Sequence, residues 1–193
     1  MADWLWDGGR ASVDLVNTIR DRKLGGRETL RTPADLAAWL REAGLPGAPD
    51  DAGLRAVRRL REAIDLLAFP GVSAADRGAV TDAGETLPRT TREAADVVNA
   101  AIAAAPPVPT LALDDAGRPV AAPREESTAA ALARLAVDAV GLLTGDDLLR
   151  VCAAPDCGVR FVDRSPARNR QWCSMRRCGN RHKARRHYDR TRS

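Results

Sequence analysis

All four cysteines of this chain fall within 27 residues, as C-x4-C, a spacer of fifteen, and a second C-x4-C: Cys152, Cys157, Cys173 and Cys178. Two cysteine pairs across a spacer is the layout of a structural zinc site. Zn²⁺ has no d-electron preference for geometry and accepts four thiolates tetrahedrally, each pair forming one arm of the grip. The residues around the pairs are poor in apolar groups, and a bound metal replaces the core they cannot build. We therefore expect one structural Zn²⁺, held by these four sulfurs. Four unligated buried thiols or two disulfides are the bland alternatives. A catalytic zinc would draw on His182 or His187, but four thiolates leave no open position.

Local chemistry suggests how the arms close. Gly158 and Gly179 each follow a cysteine, where a glycine lets the chain turn tightly around a metal. Ser174 is a candidate N-cap, which sets Cys173 at N′ and Cys178 at N4, positions that meet at a helix start. Between the arms, Val159, Phe161 and Trp172 are the apolar members of an expected hairpin, with DRSPARNRQ as its bend.

Charge is distributed unevenly. Residues 150–193 carry 13 Arg or Lys and 3 Asp, a net of +10, whereas the whole chain is +4. An asymmetry of this kind points to a polyanion partner for the basic part. From Met175 the text MRRCGNRHKARRHYDRTRS favours a helix without an apolar face, which is either solvated or set against phosphates. Arg176, Arg177, Arg181, Lys183, Arg185, Arg186 and Arg190 on this helix, and Arg170 before it, are the candidate nucleic-acid contacts. Arg164 and Arg168 extend the patch. A merely solubilising tail is the bland reading.

The preceding residues read as helices. Residues 11–20 are expected to form a short one and 21–29 a loop. Thr32-Pro33-Ala34-Asp35 starts another, with Leu36, Trp39 and Leu40 inward and Gly44 as its stop. Leu54, Val57, Leu60, Ile64 and Leu67 recur at helical spacing up to Pro70. Ser73 opens a further helix to about residue 85, and Thr90-Thr-Arg-Glu93 is a capping box ahead of Val97, Val98, Ala101 and Ile102. Residues 110–122 switch period and predict a β-hairpin turning near Asp115–Gly117. The last long helix spans 125–143, with Leu132, Leu135, Ala139 and Leu142 inward. The longest uncharged stretch, 97–113, contains three prolines and cannot span a membrane. No apolar stretch follows a basic start at the N-terminus, which predicts a cytoplasmic protein with reduced thiols.

The residues Cys178-Gly179-Asn180-Arg181, within C-x4-C-G-x-x-F-x-D-x-S and R-x-W-C-S-x3-CGNR-x-K, resemble the CGNR zinc-finger family over roughly residues 148–190. Phe161, Asp163, Ser165, Trp172 and Ser174 fall where that family has such residues. Asp14-Leu15-Val16-Asn17-Thr18 resembles the opening motif of the family's partner domain, an ABATE-like regulatory domain. The resemblance implies a mainly α protein: a helical domain over 1–147 with one small β-hairpin, and a small treble-clef-like four-cysteine finger with a basic C-terminal helix over 148–193. It also implies a bacterial transcriptional regulator. Within the helical domain, Asn17, Thr18 and Arg20 are candidates to line a pocket for a small-molecule effector. Asn17 is equally able to cap a helix or bond a loop backbone.

Four functions follow as expectations. The finger binds DNA through its basic helix; it binds RNA, with only Trp172 and Tyr188 to stack on bases; it docks a protein; or the chain is an enzyme. No nucleophile–base pair, phosphate-binding loop or dinucleotide fingerprint supports the last, so we expect no catalysis. DNA is favoured over RNA, and a homodimer is left open.

Overall fold

A computed structural model describes residues 4–45, 47–73, 77, 86–122, 126–184 and 188. Its centre is α3, the eighteen-residue helix Asp51–Ala68, started by Asp50, whose side chain accepts from the Gly53 N–H. Leu54, Val57, Leu60 and Ile64 form its apolar stripe. α1 (Ala11–Val16), α2 (Pro33–Glu42), α4 (Thr91–Ala104) and α5 (Thr128–Thr144) gather against α3. They supply Leu15, Val16, Leu36, Trp39, Leu40, Ala94, Val98, Ala131, Leu135 and Ala139 to one core. The small α4 and α5 residues let these helices approach closely, which suits a chain with 4% aromatics.

The helix starts follow capping chemistry. Thr32 and Asp35 form a reciprocal box at α2, and Thr90 and Glu93 do the same at α4. Ser127 caps α5, so that helix begins at Thr128, three residues later than its apolar pattern implies. Of the helix expected over 73–85, only Ser73 and Arg77 are described; the Arg77 N–H donates to the Ser73 carbonyl at 3.0 Å, as in one helical turn.

α1 is shorter than expected. It stops at Val16, and Ile19–Arg20 is instead a strand, β1, paired with β2 (Arg27–Glu28). A 3₁₀ turn over Arg22–Leu24 joins them, with Asp21 (φ 53°), Gly25 (φ 98°) and Gly26 (φ 79°) bending the chain. The segment read as a plain loop thus carries structure. The hairpin expected over 110–122 is present as β3 (Leu111–Leu113) and β4 (Pro119–Ala121). Asp114 closes its turn by accepting from the N–H groups of Ala116 and Arg118, both at 2.9 Å.

A second face of α3 is polar and still buried. Arg58, Arg61, Glu62 and Asp65 lie on it. Arg61 forms a bidentate pair with Glu28 (2.9 and 2.7 Å) and reaches Glu62 at 2.8 Å. Burial pulls the Arg61 guanidinium down, but Glu62 and Glu28 hold it above its ordinary range. This face carries the β1–β2 hairpin and, beyond it, the cysteine module.

Candidate metal centre and nucleic-acid interface

The module begins as a β-hairpin, β5 (Leu149–Val151) against β6 (Arg160–Val162). The Cys152 N–H adds one more rung to the Val159 carbonyl at 2.8 Å. Cys152 and Cys157 therefore sit in the hairpin's own turn. This corrects the expected pairing, in which the strand of Val159 and Phe161 folded back across the 163–171 bend towards Trp172. Gly158 explains the difference: at φ 76° it reverses the chain directly after Cys157. Gln171 lies in no strand, and its carbonyl accepts from the Ala153 N–H at 2.9 Å.

The bend after β6 is gathered by Asp163. Its carboxylate accepts from the Ser165 N–H and hydroxyl, the Arg170 N–H and the Arg150 guanidinium. Burial would raise this carboxyl, but those donors hold it well below the usual carboxylate range.

The second arm is a helix entrance. Ser174 is the N-cap in position, with extended backbone, although its side chain makes no capping bond. Met175–Gly179 is a π-turn: the N–H groups of Cys178 and Gly179 both point to the Ser174 carbonyl, at 2.9 and 3.1 Å. Cys173 thus precedes the cap and Cys178 follows one wide turn later, as the spacing suggested. Gly179 serves closeness rather than turning, since a Cβ there would stand 2.5 Å from Met175 Sδ.

All four sulfurs are buried and lie within 4.8 Å of one another. The Cys157–Cys173 and Cys173–Cys178 separations are both 3.7 Å. A disulfide requires about 2.05 Å, so the cysteines are free. A tetrahedron with metal–sulfur distances of about 2.3 Å has edges near 3.8 Å, so the donor set and its spacing fit one Zn²⁺. Hydrogen bonds from Cys157 and Cys173 pull the Cys152 thiol far down, whereas the contact with Cys152, together with burial, pushes Cys157 up to about 12 against the opposing Cys173 bond. A divalent cation relieves that conflict by letting all four sulfurs be thiolates. The site is closed and structural.

Asn17, singled out in the sequence, and several charged groups that sequence reasoning missed hold this centre to the helical domain. Asn17 forms a two-point link to the Arg160 backbone, donating from Nδ2 to its carbonyl (2.8 Å) and accepting its N–H at Oδ1 (2.9 Å). The Arg160 side chain, 0% exposed, reaches Asp65 of α3 at 3.0 Å. Asp65 also receives Arg77 at 2.9 Å and faces Arg22 at 3.7 Å. Lys23 donates to the carbonyls of Cys152 (2.8 Å) and Ala154 (3.0 Å) in the first arm. The Val162 N–H donates to Gly8, and Leu5 packs into the module's own apolar cluster. The sequence did not mark these α3 positions as buried, and nothing local named partners 95 or 143 residues away.

These contacts revise the effector pocket read at Asn17, Thr18 and Arg20. Asn17 and Thr18 are 2% and 1% exposed. The Asn17 amide is spent on Arg160, and Thr18 Oγ1 donates to the Leu15 carbonyl while accepting from Arg61. Both side chains are structural links. Arg20 is half-buried in β1.

The candidate nucleic-acid residues divide as well. Arg170 is not part of a phosphate-facing patch: it stacks over the Phe161 ring at 4.6 Å and donates to the carbonyls of Trp172 and Cys173. Arg168 donates to the Asp146 carbonyl at 2.9 Å, whereas Arg164 is exposed on the bend. Arg177 pairs with Asp7, and Arg181 pairs with Asp156 at 3.0 Å while remaining close to half exposed. Arg176 and Lys183 are exposed on the C-terminal helix. Arg185, Arg186 and Arg190 lie outside the described residues, as does His187. His182 stacks on Trp172 at 4.6 Å, which leaves Tyr188 as the more open aromatic.

No helix among the described residues is long and apolar enough to cross a membrane. A search of curated proteins found no match. Two family models do match. Residues 9–146 match ABATE, described as a "Putative stress-induced transcription regulator", and residues 149–191 match the CGNR zinc finger. The helical core and the four-sulfur centre are the two parts so matched, and the chain belongs to the ABATE family, with a CGNR zinc finger at its C-terminal end.

Proposed function

We propose that this chain is a transcription regulator whose finger binds duplex DNA through its C-terminal helix. The observation that carries the reading is the pairing of a closed four-sulfur centre with exposed cations directly on the helix it anchors, Arg176 and Lys183, in a segment of net charge +10. The metal does no chemistry here; it fixes the angle at which that helix leaves the protein. Phosphates would take the cations, and counterion release would drive binding. The scarcity of open aromatic rings favours a duplex over single-stranded RNA, which is recognised largely by stacking. Because the finger is bonded to α1 and α3, the helical domain is suited to act as a sensor that sets the finger's position. We assign no catalytic role, since four thiolates leave no open coordination position. A reducing, cytoplasmic compartment suits the free thiols, and the oligomeric state does not enter the reading.

The test is fluorescence anisotropy of zinc-loaded full-length protein with duplex DNA and single-stranded RNA at several salt concentrations. The expected result is tighter binding to DNA, with affinity falling steeply as salt rises. Arg176→Ala and Lys183→Ala should each reduce the magnitude of the salt slope by about 1. Salt-independent binding, or no binding by the zinc-loaded protein, would overturn the reading.

A further inference from the structure

Four thiolates against one divalent cation leave the loaded metal centre with a net negative charge, in a site where all four sulfurs are buried. Such a centre calls for protein cations and N–H donors, because little water reaches it. Lys23 and Arg170 sit over the two arms, but both donate to carbonyls: Lys23 to those of Cys152 and Ala154, Arg170 to those of Trp172 and Cys173. Arg181 differs. Its Nη2 donates to Cys178 Sγ at 3.7 Å and to Asp156 Oδ1 at 3.0 Å.

The sequence accounts for this placement. Arg181 follows Cys178 by three residues, a spacing that sets two side chains on one helical face. Asn180, between them, has helical backbone (φ −66°, ψ −39°). Helical side chains lean towards the N-terminus, so a long one at 181 reaches back over the sulfur at 178. Asp156 directly precedes Cys157 in the turn of the first arm. A guanidinium Nη carries two N–H groups. One nitrogen therefore touches a sulfur of the second arm and the neighbour of a sulfur in the first.

An exposed Arg–Asp pair contributes little by itself, and this one is 44% and 25% exposed. The third member changes its meaning. Cys178 is 1% exposed, so its thiolate receives a charged donor where solvent cannot substitute for it. Such a bond draws electron density from the sulfur and makes it a weaker nucleophile. Asp156 holds the guanidinium in place.

We propose that Arg181 is a positioning residue of the metal centre, which clamps the two arms together and protects Cys178 from electrophiles. This gives a separate task to a cation first read as a nucleic-acid contact. The proposal stands without the regulator reading, and its test contains no nucleic acid.

The test treats zinc-loaded full-length protein with N-ethylmaleimide, follows zinc release with a colorimetric chelator, and maps the first cysteine modified. A thiolate adds across the maleimide double bond, a proton from water completes the adduct, and the resulting thioether holds zinc poorly. Arg181→Met keeps the reach of the side chain and removes its charge and donors. It should release zinc about tenfold faster, as for the loss of a hydrogen bond to a metal ligand, with Cys178 modified first. Arg181→Lys keeps the charge, and Asp156→Asn leaves Arg181 present without its anchor; both should fall between Arg181→Met and the parent. Arg164→Met removes the same charge from an exposed position on the bend and should match the parent. Each variant is checked for one zinc per chain beforehand. If Arg181→Met holds none, Arg181→Lys and Asp156→Asn decide by the same readouts. Parent-like release from the Arg181 and Asp156 variants, equal acceleration by Arg164→Met, or first modification at a cysteine other than Cys178 would overturn the proposal.

Discussion

Asp14 is 8% exposed and accepts from the Gly8 N–H at 2.8 Å. Burial pushes its carboxyl up to about 7; the Gly8 bond opposes this, and Asp7 and Asp138 add to it. The folded state therefore holds this proton more tightly than the unfolded one. Stability falls as pH rises from about 4 to about 7, and the full penalty applies above that window. Asp14→Asn keeps an acceptor for Gly8 and removes the charge. It should stabilise the protein at pH 8 by no more than about 4 kcal/mol, at roughly 1.4 kcal/mol per unit, and have little effect below pH 4; urea unfolding at the two pH values checks this. Asn17→Asp has the opposite sign. It withdraws the donor from the buried Arg160 carbonyl and sets a carboxylate against it, at a cost of about 1–3 kcal/mol, measurable by the same urea titration at pH 7. At this scale the cysteines were legible because ligand spacing is local. Arg170 was not: its charge is in the sequence, but the Phe161 ring beneath it and the carbonyls it binds are products of the folded bend.

Helix starts marked by a reciprocal capping box were read correctly, and helix ends set by tertiary contacts were not. Thr32 and Thr90 announce α2 and α4 through capping boxes that need only three residues of context. Thr90→Ala should cost about 1 kcal/mol, seen as a lower midpoint of thermal unfolding. α1 carries no such stop signal. Ile19 continues its apolar spacing, and the chain instead turns away where Asn17 bonds the Arg160 backbone and the Thr18 carbonyl accepts from Thr29. The hairpin partner of β6 was misassigned for a related reason. Apolar residues on both sides of the bend look equivalent, and Gly158 decides between them. The finger's own elements are small, with strands of three residues each. Chelation of the metal should therefore remove β5, β6 and the π-turn together. Expected readouts are loss of hydrogen-exchange protection over 149–179 and a lower melting midpoint for the remainder of the chain.

Across the whole molecule, one carboxylate joins the two parts. Asp65, 0% exposed, faces Arg160 at 0% and Arg22 at 1%. Burial lowers Arg22 to about 10, with Asp65 and Glu62 opposing and Arg160 and Arg61 adding to the shift. Removing the shared acid leaves buried guanidinium groups uncompensated. Asp65→Asn should cost about 3–5 kcal/mol and hasten zinc transfer to a colorimetric chelator, although residue 65 touches no sulfur. A variant that melts like the parent and releases zinc at the parent rate would show the two parts to be uncoupled. The apolar stripe of α3 could be read from its sequence, but not that charged residues beside it are buried or that the finger is what covers them. The Asn17 link has a consequence for how such chains can be recombined. It recognises main chain, so it tolerates any residue but proline at position 160, whereas the Asp65 contact demands an arginine there. A finger transplanted onto a foreign helical domain would keep its zinc knuckle but lose its seat, unless the recipient brought both the amide and the acid. The two segments travel as a matched pair, and shuffling them separately would yield a domain with bare buried charge and a finger with no fixed heading.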